Sequence, residues 1–394
     1  MTQQYNYYIV APSEWEDNNL KFRRHRLVEK LLELSSTNEI YWIYPFSCHN
    51  RQQIKKYKDE KSKKVMIGTN HILSVGIPDF KGILKNNNLF NRLDFKQKKQ
   101  ILEDKGCTKN IKHILWYTTP IFSNLLDYEW DRINYDCSDL WRDPYHNNKG
   151  IYKLIDKLRN TATIKAENLI IEKSDRITTT SPYLAKLIKK QTNKDVCIIE
   201  NGVDFELFKK AKISSRINDL FEGIPSPRIG FVGGLKGKID FNVIYQMAVL
   251  NEDYSIILVG PIPSNLTSEL NRLLDLDNVY YFGAQKNHLI PQFIKQLDLG
   301  LLPYKEIEYN KAVSPLKLYE YLACGVTAIG MGIPTTKHHQ YAGCYYYSEK
   351  DEFINLCVNI LENNYMEKEK CISLAKQQDW DVKLKHLIEY STVS

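Results

Sequence analysis

Short apolar runs alternate with longer amphipathic stretches along the first half of the chain. Between two such runs, Arg24–Leu34 carries apolar residues at helical spacing, which predicts a helix with one buried face. The apolar runs are short and rich in β-branched and aromatic residues, so each is predicted to be a strand. The predicted strands are Tyr7–Val10, Ile40–Tyr44, Ile72–Val75, Ile114–Tyr117, Ile133–Asp136, Arg176–Thr179 and Val196–Ile199.

The second half repeats this alternation more regularly. Its strand-like runs are separated by about 20–30 residues, the length of a βαβ unit. Near-continuous apolar strands are typical of parallel sheets covered by helices on both faces. These predicted strands are Arg228–Val232, Ser255–Val259, Val279–Phe282, Asp298–Leu302 and Thr327–Gly330. The pattern predicts an α/β protein of two doubly wound, Rossmann-like domains, with ligand sites at the carboxyl ends of strands facing a central cleft.

Composition limits the kind of protein this can be. The chain has 394 residues and a formal net charge of +7, and no run approaches the roughly 20 apolar residues that a membrane span needs. The N-terminus lacks the pattern of a secretory signal. The eight cysteines form no C-x-x-C pair and no set with zinc-finger spacing, so we expect reduced thiols. We therefore expect a cytoplasmic protein with no bound metal. The modest charge and the lack of a recognisable module argue against a nucleic-acid partner.

Glycines and lysines cluster where the predicted strands of the second half end. The stretch 233–238 reads GGLKGK, but Ile239 follows where a Walker A loop has Ser or Thr, and the spacing does not fit a dinucleotide fingerprint. Because parallel strands end at one edge of a sheet, we expect these features to converge on one ligand. The candidate binding residues at the strand ends are Gly233, Gly234, Lys236, Lys238, Pro261, Gly283, Ala284 and Gln285.

The segment 314–325, SPLKLYEYLACG, predicts a helix with Ser314 as N-cap, Pro315 in the first position and Gly325 just past its end. Lys317 lies in the first turn, where the helix dipole disfavours a cation. A bound anion would reverse that preference. The Leu316 and Lys317 amides, the Ser314 hydroxyl and the Lys317 ammonium would then form a phosphate site, with Glu320 available to a ribose diol.

These motifs resemble the nucleotide-sugar domain of GT-B glycosyltransferases of the family-four type, which act in cell-surface polysaccharide synthesis. The matching segments are GFVGGLKGKIDF, IILVGPI, NVYYFGAQ, LLPY and SPLKLYEYLACG. The resemblance implies a diphosphate at Lys317, ribose at Glu320 and the base near Gly283–Asn287. It also implies transfer of a sugar from a nucleoside diphosphate, expected to be UDP, to a glycan or lipid-linked acceptor.

The first half resembles the acceptor domain of the same family. The matching pieces are Trp15 with the run 23–25 (RRH), the run 135–139 (YDCSD), the run 172–175 (EKSD) and the run 201–204 (NGVD). We therefore predict an acceptor-binding domain over residues 1–215 and a nucleotide-sugar domain over 216–365. Residues 366–394 are predicted to form a helix crossing back to the first domain.

One departure from the family concerns catalysis. Many retaining members carry two glutamates spaced E-x7-E, and Ala312 stands in the first of these positions, which leaves the stereochemical outcome open. Related inverting enzymes use an aspartate of the first domain as general base, so Asp136 and Asp139 are candidates, with His25 as a third. The alternative is that Asp136 caps the next helix and that Asp139 is solvated, and for either residue alone this alternative is at least as well supported.

Three further expectations complete the picture. Asp275 and Asp277 have the spacing of a metal-binding D-x-D, but they precede a strand, so we expect neither a metal nor any other cofactor beyond the nucleotide-sugar substrate. A sugar-nucleotide epimerase of the same fold and a catalytically inactive binding subunit remain alternatives. The basic stretch 21–34 predicts peripheral contact with an anionic membrane, at its inner face, if the acceptor is lipid-linked.

Overall fold

A computed structural model describes most of the chain. The described residues are 3–15, 21–47, 63–79, 111–143, 151–263, 267–334, 344–347, 349–363 and 368–392. Their contacts divide the chain into two compact units. The first comprises Met1–Ile199 together with Leu384–Ser394, and the second comprises Glu200–Lys383.

The first unit is built on a largely parallel sheet. Within the described residues, its strands have the order β3-β4-β2-β1-β5-β6-β7-β8, and only the β3–β4 pair is antiparallel. The strands are β1 Gln4–Val10, β2 Thr37–Ser47, β3 Lys63–Ile67, β4 Asn70–Asp79, β5 Ile111–Tyr117, β6 Arg132–Cys137, β7 Arg176–Thr179 and β8 Val196–Ile198. The helices are α1 Arg23–Leu32, α2 Ile151–Lys173 and α3 Pro182–Lys189, with a 3-10 turn at Ser123–Asp127.

The second unit is built on a parallel sheet with the strand order β11-β10-β9-β12-β13-β14 in the described residues. The strands are β9 Arg228–Val232, β10 Ser255–Val259, β11 Val279–Tyr281, β12 Leu299–Pro303, β13 Ala328–Met331 and β14 Cys344–Tyr347. The helices before the last two are α4 Phe205–Lys210, α5 Ser215–Phe221, α6 Phe241–Leu250, α7 Thr267–Leu274, α8 Ile290–Ile294, α9 Glu308–Lys311, α10 Leu316–Ala323 and α11 Lys350–Glu362, with a 3-10 turn at Asn287–Leu289. Then follow α12 Lys368–Gln377 and α13 Trp380–Thr392, which ends in the first unit.

Strand order in the second unit reverses between β9 and β12, the neighbours at its centre. They pair only at Leu299–Ile229 and Gly300–Gly230, so their carboxyl ends separate. Tyr321 of α10 fills the gap: its hydroxyl accepts the Val232 N–H at 2.9 Å and lies 3.3 Å from the Leu301 carbonyl oxygen. A crevice at a reversal of strand order is the usual ligand site of open α/β sheets.

The α/β prediction with parallel, doubly wound sheets is confirmed, and two details differ from the expectations. Strands β3 and β14 were not predicted. Residues 200–215, assigned above to the first domain, belong by their contacts to the second unit. The stretch around the predicted boundary contains Ser and Pro residues, and it forms helix α5 and the turn before β9. None of the helices in the described residues is long and apolar enough to cross a membrane.

Candidate functional site

Three glycines join the strand ends of the second unit. The Gly233 N–H donates to Val259 O at 2.7 Å, and the Gly260 N–H donates to Gly283 O at 2.8 Å. A Cβ on Gly260, which has φ +141°, would overlap the Gly233 carbonyl. The backbones after β9, β10 and β11 are therefore in direct contact, at an approach that only glycine permits.

Lys317 lies against this glycine row. Its side chain runs along Gly233, where a Cβ would overlap the lysine Cε and Nζ, and its Nζ is 5.9 Å from the centre of the Phe231 ring. Gly233 itself has φ +153°. The glycine loop after β9 and the first turn of α10 thus lie together, as the convergence of strand ends predicted.

Helix α10 begins one residue later than predicted. Its N-cap is Pro315, and the first bond closing its turn runs from Leu318 N–H to Pro315 O at 3.2 Å, so the Leu316 and Lys317 amides precede it. The prediction of Ser314 as N-cap is wrong because its Oγ accepts the N–H of Asn201 at 3.1 Å instead. Accepting that bond leaves the hydroxyl hydrogen of Ser314 available to an anion.

The end of α10 agrees with the sequence. Gly325 has φ +76°, its N–H donates to Leu322 O at 2.9 Å, and the Val326 N–H donates to Tyr321 O at 3.0 Å. This pair of bonds is a Schellman motif, which needs a left-handed residue at the position of Gly325. A defined start and end fix the helix axis, and with it the orientation of its dipole toward Gly233.

Glu320 lies one turn beyond Lys317 and is half-buried. Burial raises the pKa of its carboxyl group, and the positive charge of Lys317 acts in the opposite direction. A carboxylate in such a place gains from hydrogen-bond donors on a ligand. Two hydroxyl groups of a ribose would be suitable donors.

The other predicted donor-binding residues occupy different parts of the same edge. Pro261 is exposed after β10, and its carbonyl accepts the Leu235 N–H at 3.0 Å. Lys236 is exposed and folds over Gly234. Ala284 is exposed after β11, whereas Gln285 donates to Phe282 O at 2.6 Å.

Lys238 points toward the loop after β12. Its Nζ lies 5.7 Å from the Tyr304 ring centre and 5.3 Å from the Tyr309 ring centre. Asn310 joins the same two loops, since its side-chain amide donates to Lys238 O at 3.2 Å and Lys305 O at 2.7 Å. Ala312 follows, 1% exposed, so the position of the first glutamate of E-x7-E is packed into the protein.

A separate hollow of about 460 Å³ lies beyond β12 and β13. None of the predicted donor-binding residues lines it, and an ion pair of 3.0 Å between Lys350 and Asp240 contributes to its wall. Its lining residues are Asp240, Lys305, Glu306, Met331, Glu349, Lys350 and Asp351. The candidate donor residues therefore form the strand-end surface beside this hollow.

Asp136, the first candidate for a general base, is held in a buried ion pair. Arg23 donates to it through Nε at 2.8 Å and Nη2 at 3.1 Å, and Thr178 Oγ1 donates at 2.7 Å. Both charged residues are almost fully buried, and removing a partner from such a pair is strongly destabilising. This geometry favours a structural role, different from the helix cap weighed above, and takes Asp136 out of the candidates for the base.

Asp139 remains as a candidate. It follows β6 and is partly exposed, at the carboxyl end of the first sheet. Its backbone carbonyl, not its side chain, accepts the Trp141 N–H at 2.9 Å. Accessibility and position at the strand end suit a group that exchanges a proton with a bound acceptor.

His25, the third candidate for the general base, is only 3% exposed. Its ring lies 4.8 Å from the Trp15 ring and 5.0 Å from the Trp42 ring, centre to centre. Burial, reinforced by Arg24, lowers its pKa to about 4, and Nδ1 accepts the Phe22 N–H at 3.1 Å. The neutral ring then carries its hydrogen on Nε2, which makes that atom a donor and not a base.

Asp275 and Asp277 precede β11 and so lie at the amino end of the second sheet, opposite the glycine row. This is the position predicted for them, and it separates the D-x-D motif from the candidate donor site. Within the described residues no group of three or more His, Cys, Asp or Glu side chains has the geometry of a metal site.

Comparison with known proteins supplies the family. The family description "Glycosyl transferases group 1" matches residues 226–363. A protein of Bacillus subtilis (strain 168), named a candidate teichuronic acid biosynthesis glycosyltransferase, TuaH, is 33% identical over 98% of this chain and 96% of its own. The chain belongs to the GT-B glycosyltransferases. It is therefore a transferase, which the family resemblance predicted.

Solved structures show the same fold for this glycosyltransferase. The sucrose-phosphate synthase of Thermosynechococcus elongatus has a TM-score of 0.71 at 12% identity, covering 98% of this chain and 97% of that one. Anabaena HepE in complex with UDP-glucose has a TM-score of 0.67 at 13% identity, covering 98% of each chain. These likenesses confirm the GT-B assignment made from the motifs.

Sequence reasoning missed several residues that shape the candidate donor site of this glycosyltransferase. Tyr321 and Gly300 make the crevice, because a Cβ on Gly300 would lie 2.7 Å from the Tyr321 ring. Asn201 holds Ser314 although 113 residues separate them. Only the NGVD motif carried a signal, and it suggested family membership and not this contact.

Proposed function

We propose that this glycosyltransferase takes a UDP-sugar as donor and transfers its sugar to a glycan or lipid-linked acceptor. The observation that carries the proposal is the Lys317 side chain lying on Gly233 at the start of α10. A cation in the first helical turn is unfavourable unless an anion is bound nearby. The Leu316 and Lys317 amides, which precede the first hydrogen bond of the helix, could donate to that anion. The UDP-glucose held by a structure of this fold supports a uridine nucleotide.

The same geometry explains how the leaving group would depart. When the bond from the sugar to the diphosphate breaks, negative charge grows on the phosphate oxygens. The Leu316 and Lys317 amides, the Ser314 hydroxyl and the Lys317 ammonium are donors already in place, so they stabilise that charge without reorganisation. Lys236 adds positive charge from the exposed side. We accordingly propose that neither a metal nor another cofactor takes part.

We propose that Asp139 is the general base that accepts the proton of the attacking acceptor hydroxyl. The attacking hydroxyl must lose its proton as it bonds to the sugar, and a carboxylate at a strand end can accept it. The buried ion pair of Asp136 and the tautomer of His25 leave Asp139 as the accessible candidate among the three.

Two variants test these assignments separately. Lys317→Ala should weaken UDP binding, measured by calorimetry, because it removes a charged contact worth about 1.5–3 kcal/mol. The dissociation constant for UDP should rise roughly tenfold to a hundredfold. Asp139→Asn should abolish transfer and leave UDP affinity unchanged. Unchanged UDP affinity in Lys317→Ala would show that the donor site is misplaced, and full transfer activity in Asp139→Asn would exclude it as the base.

We also propose action in the cytoplasm, with peripheral contact to an anionic inner membrane face if the acceptor is lipid-linked. Helix α1 offers less positive charge than its sequence suggests, since Arg23 and His25 are buried. Exposed Lys21 and the rest of the basic stretch would supply the attraction. Cosedimentation with anionic vesicles that shows no salt-sensitive binding would disprove the membrane contact.

A further inference from the structure

The segment Glu200–Asp204 is the first part of the second unit. It is hydrogen-bonded at two places along α10, just before the helix begins and again at Tyr319. At the first turn, the Asn201 N–H donates to Ser314 Oγ at 3.1 Å and its side-chain amide donates to Ser314 O at 3.0 Å. One turn on, the Tyr319 hydroxyl donates to Glu200 Oε2 at 2.7 Å. Neighbouring residues of one segment thus hold the helix at two places.

The opposite side of this segment is fixed as well. The Val203 N–H donates to Gln378 O at 2.9 Å, and the Trp380 N–H donates to Val203 O at 3.0 Å. A Cβ on Gly202 would lie 2.9 Å from both Gln378 O and the Trp380 ring, so the backbone packs closely there. The position of Asn201 therefore follows from the protein and does not require a ligand.

Ser314 gains a defined role from this attachment. Its Oγ accepts from the Asn201 backbone, which turns the hydroxyl hydrogen away from Asn201. Its carbonyl accepts from the Asn201 side chain, which orients the peptide immediately before the helix. The free amides of Leu316 and Lys317 follow that peptide, so a rotation of Ser314 would move both of them.

We infer that Glu200 and Asn201 are positioning residues of the donor site, which orient the start of α10 for the diphosphate of the nucleotide sugar. They touch neither the diphosphate nor the reacting atoms. The inference rests on the donor site proposed above and adds to it the residues that set its geometry. Asn201 acts on the peptide that precedes the helix. Its influence therefore falls on the diphosphate, whereas the ribose at Glu320 and the base at the end of β11 are bound by residues further from that peptide.

The test compares affinities for UDP and uridine in the full-length protein. Asn201→Ala removes the bond to the Ser314 carbonyl and should weaken UDP binding about tenfold, the order of effect expected for one hydrogen bond. Uridine, which has no phosphate, should bind as it does to the wild type. A purely structural role would lower both affinities together, and that result would overturn the inference.

Conservative variants of Glu200 sharpen the test. Glu200→Gln keeps an oxygen that can accept a hydrogen bond from Tyr319, so it should retain the UDP affinity of the wild type. Glu200→Ala should weaken UDP binding by the same factor as Tyr319→Phe. Glu206→Ala, an exposed acidic residue of the following helix paired with Lys210, is the matched control and should change neither affinity. Equal affinities in Glu200→Gln, Glu200→Ala and Tyr319→Phe would contradict the role of Glu200.

Failure of this inference can be told apart from failure of the proposed function. If Lys317→Ala weakens UDP binding and Asn201→Ala does not, the donor site stands and the positioning role is wrong. If Lys317→Ala leaves UDP binding intact, the site itself is misplaced. Thermal unfolding of each variant shows whether it folds, and Asn201→Leu, which keeps a side chain of similar volume without a donor to the Ser314 carbonyl, repeats the measurement should Asn201→Ala be unstable.

Discussion

Burial raises the pKa of Glu320, and the nearby positive charge of Lys317 acts against this effect without cancelling it. An acid whose pKa is raised on folding is less stable in its ionised form inside the folded protein than in the unfolded chain. The ionised side chain of Glu320 therefore opposes folding at neutral pH. Residues that work against stability in this way are common where a ligand completes the site.

We predict that Glu320→Gln raises the melting temperature at neutral pH and weakens binding of the nucleotide. The gain should be present above the raised folded pKa and should vanish below 4.5, the ordinary value, where the wild-type carboxyl group is protonated in both states. Calorimetric melting between pH 4 and pH 8 measures it. At exposed Glu206, where the hydrogen bond from Lys210 lowers the pKa, the same change should have the opposite sign. A loss of stability in Glu320→Gln at neutral pH would contradict the prediction.

At the residue scale, the sequence identified the chemical groups of the candidate site better than it identified the residues that hold those groups in place. Lys317 was found because a cation in a first helical turn conflicts with the helix dipole, a local rule that needs no tertiary structure. Ser314 was misassigned because its competitor for the hydroxyl, Asn201, comes from a distant segment. The candidacy of His25 as a base failed for the same reason, since the sequence does not reveal that Trp15 and Trp42, from other segments, pack against its ring.

At the scale of elements, Tyr321 holds the separated strands β9 and β12. Its hydroxyl accepts from Val232 at 2.9 Å and is fully buried. We predict that Tyr321→Phe lowers the free energy of unfolding by about 1–3 kcal/mol, because the Val232 N–H would be left buried without a partner. Chemical denaturation measures the change.

Tyr281→Phe is the matched control for Tyr321→Phe. Its hydroxyl donates to Gly260 O at 2.9 Å, in the same sheet, but the side chain is partly exposed, so water can replace the lost bond. The control should therefore lose less stability. If the two variants lost the same amount, the hydroxyl of Tyr321 would not be the bond that holds the strands.

Strands β9 and β10 were predicted to the residue, since in each a polar first residue is followed by a short run without another polar side chain and then by turn residues. Strand β3 was not predicted because Lys63 and Lys64 open it, and basic residues of this kind belong to an exposed edge. Strand β14 was not predicted because its run of three tyrosines lacks the alternation of apolar and polar residues that marks a strand with one buried face. Edge strands carry weaker patterns than central ones, and both missed strands are at or near an edge.

At the scale of the whole molecule, the chain passes from one unit to the other at Ile199–Glu200 and again at Lys383–Leu384. The sequence-based boundary between residues 215 and 216 lies in a stretch where turn-forming residues cluster. Turn-forming residues indicate a loop but not whether the loop joins two units. This loop lies within the second unit, so the composition of the sequence could not locate the point where the chain crosses. The crossing is instead marked by contacts: Val203 pairs with Asp379, which brings the first crossing segment beside the second.

Gly202 lies between these two segments and allows them to touch. A Cβ there would lie 2.9 Å from the Trp380 ring, so we predict that Gly202→Ala lowers the free energy of unfolding by about 1–3 kcal/mol through overpacking. Gly223→Ala, where no atom lies within 4 Å but φ is +79°, gives the loss due to backbone strain alone.

Combining Gly202→Ala with Trp380→Leu distinguishes overpacking from a general loss of stability. The smaller side chain relieves the contact with the ring, although Gln378 O remains 2.9 Å from the new Cβ, so the double variant should be more stable than the sum of the single changes predicts. Additive losses would mean that Gly202 and Trp380 do not oppose each other. A positive coupling would show that the two crossing segments are packed against one another, and the position of Asn201, one residue before Gly202, would then depend on that packing.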